Sequence, residues 1–425
     1  MATNGQGTAA TYGRALALLA SLFFMWGFIT VINNTLLPHL RSVFDLNYTQ
    51  TTLIESTWFI GYLVASIPSA KLIQRIGYQR ALVVGLAVMT VGSLLMVPAA
   101  RLPSYGVTLA ALFIVACGIA LLQVAANPYV AVIGPPETAE SRLTLVQAFN
   151  TTGDVLAVLF GRYLILGRTT AGTTLEGTQL THAERMADAQ ATQLPYRIVA
   201  AVLAVLAIVS ARHKLPALSE GTRRANADER KHLSLWKHRN LVLGVIAIFV
   251  YLIAEIGVGN LFINFVSQPA IGNVTHEQAA FYLTFVWGGM MVGRFAGAFI
   301  MRWIAPEKVL AVFAAGALVT MLVATLAHGH AAMYGLILVG LFHSIMFPTI
   351  FALAIRGLGP LTEEGSGLLI MAIAGGALVI VQGWLADLYG LQASFWLTAA
   401  CELLVLIYAL WGSKPTHALP PEQVI

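Results

Sequence analysis

Apolar stretches recur along nearly the whole 425-residue chain, divided by short polar loops. A helix needs ~20 apolar residues to cross a ~30 Å hydrocarbon core. The pattern predicts twelve such spans, at 14–38, 51–72, 79–100, 104–131, 142–168, 194–211, 239–266, 276–301, 307–327, 331–356, 363–389 and 391–412. Runs such as Val107 to Val124 and Val312 to Leu326 are continuously apolar, without the polar–apolar alternation of a barrel strand. Backbone groups in lipid must bond to one another, which leaves helices as the crossing element. The expected class is an all-α membrane protein with twelve transmembrane helices.

The spans divide six and six around a charged stretch, 212–238, and the two sets echo each other. Span 2 runs into a basic turn as GYLVASIPSAKLIQRIGYQRAL, and span 8 as GGMMVGRFAGAFIMRWIAPEKVL. Pro128 near the end of span 4 and Pro348 in span 10 hold matching places, each followed by a Gly-Pro exit. Such a repeat implies duplication of a six-span unit and is similar to the major facilitator fold, in which two halves hold substrate between them near the midplane. The expected division is an N-terminal half at 1–211, a cytoplasmic linker at 212–238 and a C-terminal half at 239–425.

Composition agrees: 58% of residues are hydrophobic, 10% are charged, and mean hydropathy is +0.78. A soluble domain carries about 25% charged residues. The formal charge of +5 does not point to nucleic acid, because its distribution tracks topology. Lys71, Arg75 and Arg80 follow span 2; Arg212, Lys214, Arg223, Arg224, Arg230, Lys231, Lys237 and Arg239 follow span 6; Arg302 and Lys308 follow span 8. These loops share one side, which the positive-inside rule makes cytoplasmic, with both termini there too. The opening residues, MATNGQGTAATYGR, lack the cationic start of a cleaved signal. Cys117 and Cys401 lie within spans and read as packing residues, with no disulfide, metal site or cofactor expected.

Polar side chains inside lipid are costly and normally face a bundle interior or a wet cavity. Trp26, Thr30, Asn33 and Asn34 make one stripe of span 1. Gln123 and Asn127 are one turn apart in span 4, and Gln147, Asn150 and Asp154 share a face of span 5. Amides both donate and accept, as sugar hydroxyls do. The apolar face of a pyranose packs on an indole such as Trp26 or Trp287, and Gln382 is a candidate from span 11. The plainer reading of each amide is an interhelical hydrogen bond of about 1 kcal/mol; the concentration on three helices favours a shared hydrophilic chamber. Glu55, Asp154 and Glu255 are the candidate cation-coupling acids, Glu402 a weaker one, Arg294 a gate residue, and His343 an interior histidine.

The segments FFMWGFITVINNTLLPHL, GIALLQVAANPYVAVIGP, LVQAFNTTGD, YLIAEIGVGNLF, VWGGMMVGRF and SIMFPTIFALAIRGLG resemble the fucose permease and glucose/galactose permease family, across all twelve spans. The resemblance implies sugar uptake at a bacterial inner membrane, commonly by cation symport. It also implies sugar contact at Gln147 and Asn150, and an acid typical of the glucose/galactose branch at Glu255. Where the fucose permease has acids in spans 1 and 4, this chain has Asn34 and Gln123. Glu55 stands where relatives often have Gln, and its expected role is to replace the span 1 acid.

The resulting expectation is a monomeric secondary transporter of a hexose such as glucose or galactose, working by alternating access with H⁺ or Na⁺ symport. Sugar would contact Trp26, Asn34, Gln123, Asn127, Gln147, Asn150, Trp287 and Gln382. An uncoupled facilitator, a fucose or N-acetylglucosamine permease and a multidrug exporter of the same fold are the alternatives. No nucleophile–base pair suggests an enzyme.

Overall fold

The computed structural model describes residues 12–31, 48–101, 104–164, 193–213, 233–274 and 276–415, with isolated positions from 181 to 190 and at 215. Asn33, Asn34 and most of the stretches 169–193 and 212–238 lie outside the described residues, as does the side chain of Glu55.

The described residues are helical, with no strand among them. In chain order the helices are α1 (Tyr12–Val31), α2 (Tyr48–Ile76), α3 (Tyr78–Arg101), α4 (Tyr105–Val132), α5 (Ala139–Leu164) and α6 (Gln193–Arg212). There follow α7 (Arg239–Val266), α8 (His276–Ile300), α9 (Pro306–Leu326), α10 (Gly329–Ile355), α11 (Gly359–Tyr389) and α12 (Leu391–Gly412). Ten of them hold a stretch long and apolar enough to cross a membrane; α2 and α5 are as long, at 29 and 26 residues, and carry more polar side chains. The exposed positions of the helices are themselves apolar, Phe281, Phe299, Trp384 and Trp396 among them. Water would not tolerate so much bare aromatic surface, and lipid would.

Two compact units emerge from the packing. One gathers Met1–Ala126 and Phe149–Ala217; the other gathers Asn127–Ala148 and Leu218–Ile425. The boundary cuts α4 and α5, so the turn between them groups with the C-terminal helices. Ser141 Oγ donates to the Ala298 carbonyl at 2.5 Å, and Arg356 pairs with Glu140 at 2.5 Å. Within the same turn Arg142 donates to the carbonyls of Ala131 and Pro135, closing off the last residues of α4.

The matching prolines behave differently. α4 runs unbroken through Pro128. α10 divides into Gly329–His343 and Met346–Ile355, with the interruption just ahead of Pro348. Proline has no N–H and crowds the carbonyl four residues earlier, here Ser344. α11 changes from α to 3₁₀ winding over Ala372–Leu378, where Gly375 sits against the Phe249 carbonyl of α7. On α8, Gly289, Gly293 and Gly297 face Leu341, Ser344 and Ile345, so that α10 approaches closely where it breaks. The largest described core of the C-terminal unit joins Phe262 and Phe265 of α7, Met321 of α9, Leu336 of α10 and Phe395 of α12.

Candidate functional site

In the N-terminal unit the polar faces of α1, α2, α4 and α5 are tied to one another. Gln123 is fully buried, and its Nε2 donates to the Tyr62 hydroxyl at 2.7 Å. Trp26, also buried, makes a second side-chain hydrogen bond to Tyr62. A tyrosine in the WFIGYLV run of α2 therefore links an indole and an amide that the sequence offered separately. Tyr62 is the residue that reasoning along the sequence missed. Its signal was weak but present: a phenol in an apolar span must find a partner. Asn150 of α5 donates from Nδ2 to the Phe23 carbonyl at 2.9 Å. Gly27 lies against Asn150 and the Asp154 carboxylate, where any Cβ would collide with both. Thr30 bonds back to the Trp26 carbonyl at 3.0 Å, so its hydroxyl is engaged within its own helix.

In the C-terminal unit Asn127 and Gln147 meet across the α4–α5 turn, Nε2 to Oδ1, at 3.4 Å. Arg294 of α8 is buried, and donates from Nη1 to the Gln147 carbonyl at 3.1 Å and from Nε to the Ser344 carbonyl at 3.0 Å. Gln382 is fully buried on α11, donating to Thr398 Oγ1 at 3.1 Å, and its amide lies directly against Gly257 of α7. Trp287 of α8 sets its ring edge over Gly259, one turn beyond Glu255 on α7. Glu255 is half-buried and hydrogen-bonded to Tyr251. His343 is an interior histidine with a defined partner, the Glu402 carboxylate at 2.6 Å.

The sequence candidates thus fall into two sets. Trp26, Gln123, Asn150 and Asp154 belong to one unit, and Asn127, Gln147, Glu255, Trp287 and Gln382 to the other. Asn34 and the side chain of Glu55 lie outside the described residues. Several buried amide atoms have no hydrogen-bond partner among the described residues: Gln123 Oε1, Asn127 Nδ2 and Gln382 Oε1. In each amide this second polar atom remains available for a hydrogen bond. Cys117 and Cys401 are free thiols, half-buried and buried respectively.

The profile described as Major Facilitator Superfamily matches residues 18–379. A protein named glucose/galactose transporter from Brucella abortus biovar 1 (strain 9-941) is 46% identical over 404 residues, covering 95% of each chain. The L-fucose-proton symporter of Escherichia coli (strain K12) is 33% identical over 423 residues, covering 96% of this chain and 95% of that one. A crystal structure of the E. coli fucose:proton symporter, FucP, superposes with a TM-score of 0.83 at 31% identity, covering 95% of this chain and all of that one.

Proposed function

Because the chain belongs to the major facilitator superfamily, we propose that it is a secondary active transporter that takes up a hexose by alternating access, coupled to a cation. The observation that carries the sugar reading is the clustering of amides within each unit, Gln123 with Trp26 on the Tyr62 hydroxyl in one and Asn127 with Gln147 in the other. Amides both donate and accept, as sugar hydroxyls do, and a hydrophobic drug uses neither capacity. The names of the relatives, glucose/galactose transporter and L-fucose-proton symporter, support the same substrate class and a coupled mode.

Sugar contact is assigned to Trp26, Asn34, Gln123, Asn127, Gln147, Asn150, Trp287 and Gln382, with Trp26 or Trp287 as the apolar platform. Glu55, Asp154 and Glu255 are the acids assigned to H⁺ or Na⁺ coupling. The protein acts as a monomer in a bacterial inner membrane with both termini cytoplasmic, and its functional halves run 1–211 and 239–425 with a linker between. Asn34 and Gln123, standing where the fucose permease has acids, favour one second reading: an uncoupled facilitator.

Reconstituted vesicles test the assignment. Glucose or galactose should accumulate above the external concentration when an ion gradient is imposed, and unfolding of the purified protein should shift upward with the transported sugar among glucose, galactose, fucose, mannose and N-acetylglucosamine. Equilibration without accumulation would establish the facilitator, and absence of both uptake and shift for every sugar would remove the sugar reading.

A further inference from the structure

The C-terminal unit holds a sealed pair of ionisable groups that the sugar assignment does not use. His343 Nε2 of α10 and Glu402 Oε1 of α12 are 2.6 Å apart, with residue exposures of 1% and 0%. The second carboxylate oxygen, Oε2, has no hydrogen-bond partner among the described residues. Tyr251 of α7 stands edge-on to the imidazole, ring centroids 5.5 Å apart, and its hydroxyl donates to the His343 carbonyl at 3.1 Å. One turn along α7, Glu255 is hydrogen-bonded to Tyr251.

The ionisable groups around the pair come from every neighbouring helix. α7 supplies Tyr251 and Glu255, α8 supplies Arg294, and α12 supplies Cys401 beside Glu402. α9 and α11 also pack on α12, but their ionisable residues lie toward their ends: Glu307 and Lys308 in α9, and Glu363, Glu364, Asp387 and Tyr389 in α11. Around the pair, two carboxyl groups, Glu402 and Glu255, face a single permanent cation, Arg294, and uncompensated charge in a low-dielectric interior is strongly unfavourable. The atom left open is Glu402 Oε2, which has no hydrogen-bond partner among the described residues, while Oε1 stays bonded to His343 Nε2. No group of three or more His, Cys, Asp or Glu among the described residues is arranged to hold a metal ion.

We infer that the His343–Glu402 pair is a proton-binding site of the C-terminal unit, acting together with the coupling acids assigned above to load and release the H⁺ that drives sugar uptake. The inference rests on the sugar-symport reading and adds to it both the ion and the place where it binds. α7 provides the mechanical link. It carries Tyr251 against the pair, Gly257 against the Gln382 amide and Gly259 against the Trp287 indole. A change of charge at the pair that moves α7 therefore moves two side chains assigned to the sugar.

The test compares Glu402→Gln and His343→Gln with the unaltered protein in vesicles. Two readouts are needed: sugar accumulation driven by an imposed pH gradient, and sugar counterflow at equal pH on both sides. The expected result is loss of accumulation by tenfold or more in each variant, with counterflow retained. Accumulation at the unaltered level in both variants overturns the inference and leaves the sugar reading standing. Accumulation by the unaltered protein on a sodium gradient but not on a pH gradient does the same. Absence of any sugar movement by the unaltered protein overturns both. Should neither variant fold, the unaltered protein still decides: sugar added in lightly buffered detergent solution must change the pH, and no change counts against the site.

Discussion

Arg294 donates from Nε to the Ser344 carbonyl at 3.0 Å, the carbonyl that Pro348 leaves without a helical partner. The same guanidinium reaches the Gln147 carbonyl at 3.1 Å, so one buried cation holds both the break in α10 and the start of α5. Removing it strands the Ser344 carbonyl, at about 1–3 kcal/mol when buried, whereas the Gln147 carbonyl keeps its helical partner inside α5. Arg294→Ala should therefore lower stability in detergent by about 2 kcal/mol. Pro348→Ala returns an N–H to the Ser344 carbonyl, and in that background the loss should shrink by about 1 kcal/mol. Thermal unfolding of the four proteins in a double-mutant cycle measures this coupling. Equal losses in both backgrounds would mean that the Ser344 carbonyl is not what Arg294 serves.

Tyr62 gathers Trp26 and Gln123 onto one hydroxyl. Tyr62→Phe keeps the ring and removes the acceptor, which frees the Gln123 amide to rotate and leaves its Nε2 buried without a partner. A bound sugar must then supply the free energy that orients the amide. The expected outcome is a rise in the counterflow KM of about tenfold, corresponding to ~1.4 kcal/mol, with a smaller effect on stability. An unchanged KM beside a large stability loss would make Tyr62 a packing residue only.

Much of this arrangement is legible in the order of residues. The apolar pattern puts span 7 at 239–266 and α7 is Arg239–Val266, because the Arg-Asn start and the Ser-Gln-Pro exit interrupt an unbroken apolar run. The spacings Gln123–Asn127 and Gln147–Asn150 put each pair on one side of its helix, since a helix fixes which neighbours share a face. What fails to show is the partner of each group. Gln123 finds Tyr62 and His343 finds Glu402 across 61 and 59 residues of chain, and no periodicity within one helix encodes such a meeting. Pro128 and Pro348 look alike in sequence, yet only one coincides with a break. At Pro348 Arg294 supplies the donor that an open turn requires, and that is a tertiary fact. Likewise the 3₁₀ segment at Ala372–Leu378 follows from how closely Gly375 meets α7, not from composition.

Glu140 is buried at 2% exposure, whereas its partner Arg356 is 37% exposed in the side chain. The two therefore matter unequally. Arg356→Ala leaves a carboxylate buried without its cation, with Oε2 already lacking a partner among the described residues. Partial access to solvent softens the penalty, so a loss of about 1–2 kcal/mol is expected. Arg356→Ala combined with Glu140→Gln removes the stranded charge and should be more stable than Arg356→Ala alone. Unfolding temperatures of the three proteins, ranked, decide the point. A double variant less stable than the single would show that Glu140 is held by something other than Arg356.

The glycines of α8 separate close packing from mere helix flexibility. Gly288 faces open space, whereas a Cβ at Gly293 would press into the Ser344 side chain and one at Gly297 into Ile345. Gly288 and Gly293 both have ordinary helical backbone, so alanine is favoured intrinsically at each by up to about 1 kcal/mol. Gly288→Ala should therefore raise the unfolding temperature slightly and leave sugar uptake unchanged. Gly293→Ala meets atoms at the α10 break and has to push it away from α8, stretching the Arg294 bond to the Ser344 carbonyl. Overpacking of this kind costs about 1–3 kcal/mol, enough to outweigh the helical gain. The predicted signs are opposite for two alanines on one helix. If Gly293→Ala is as benign as Gly288→Ala, α10 does not sit as close to α8 as described, and the support Arg294 gives to the break loses its geometric basis.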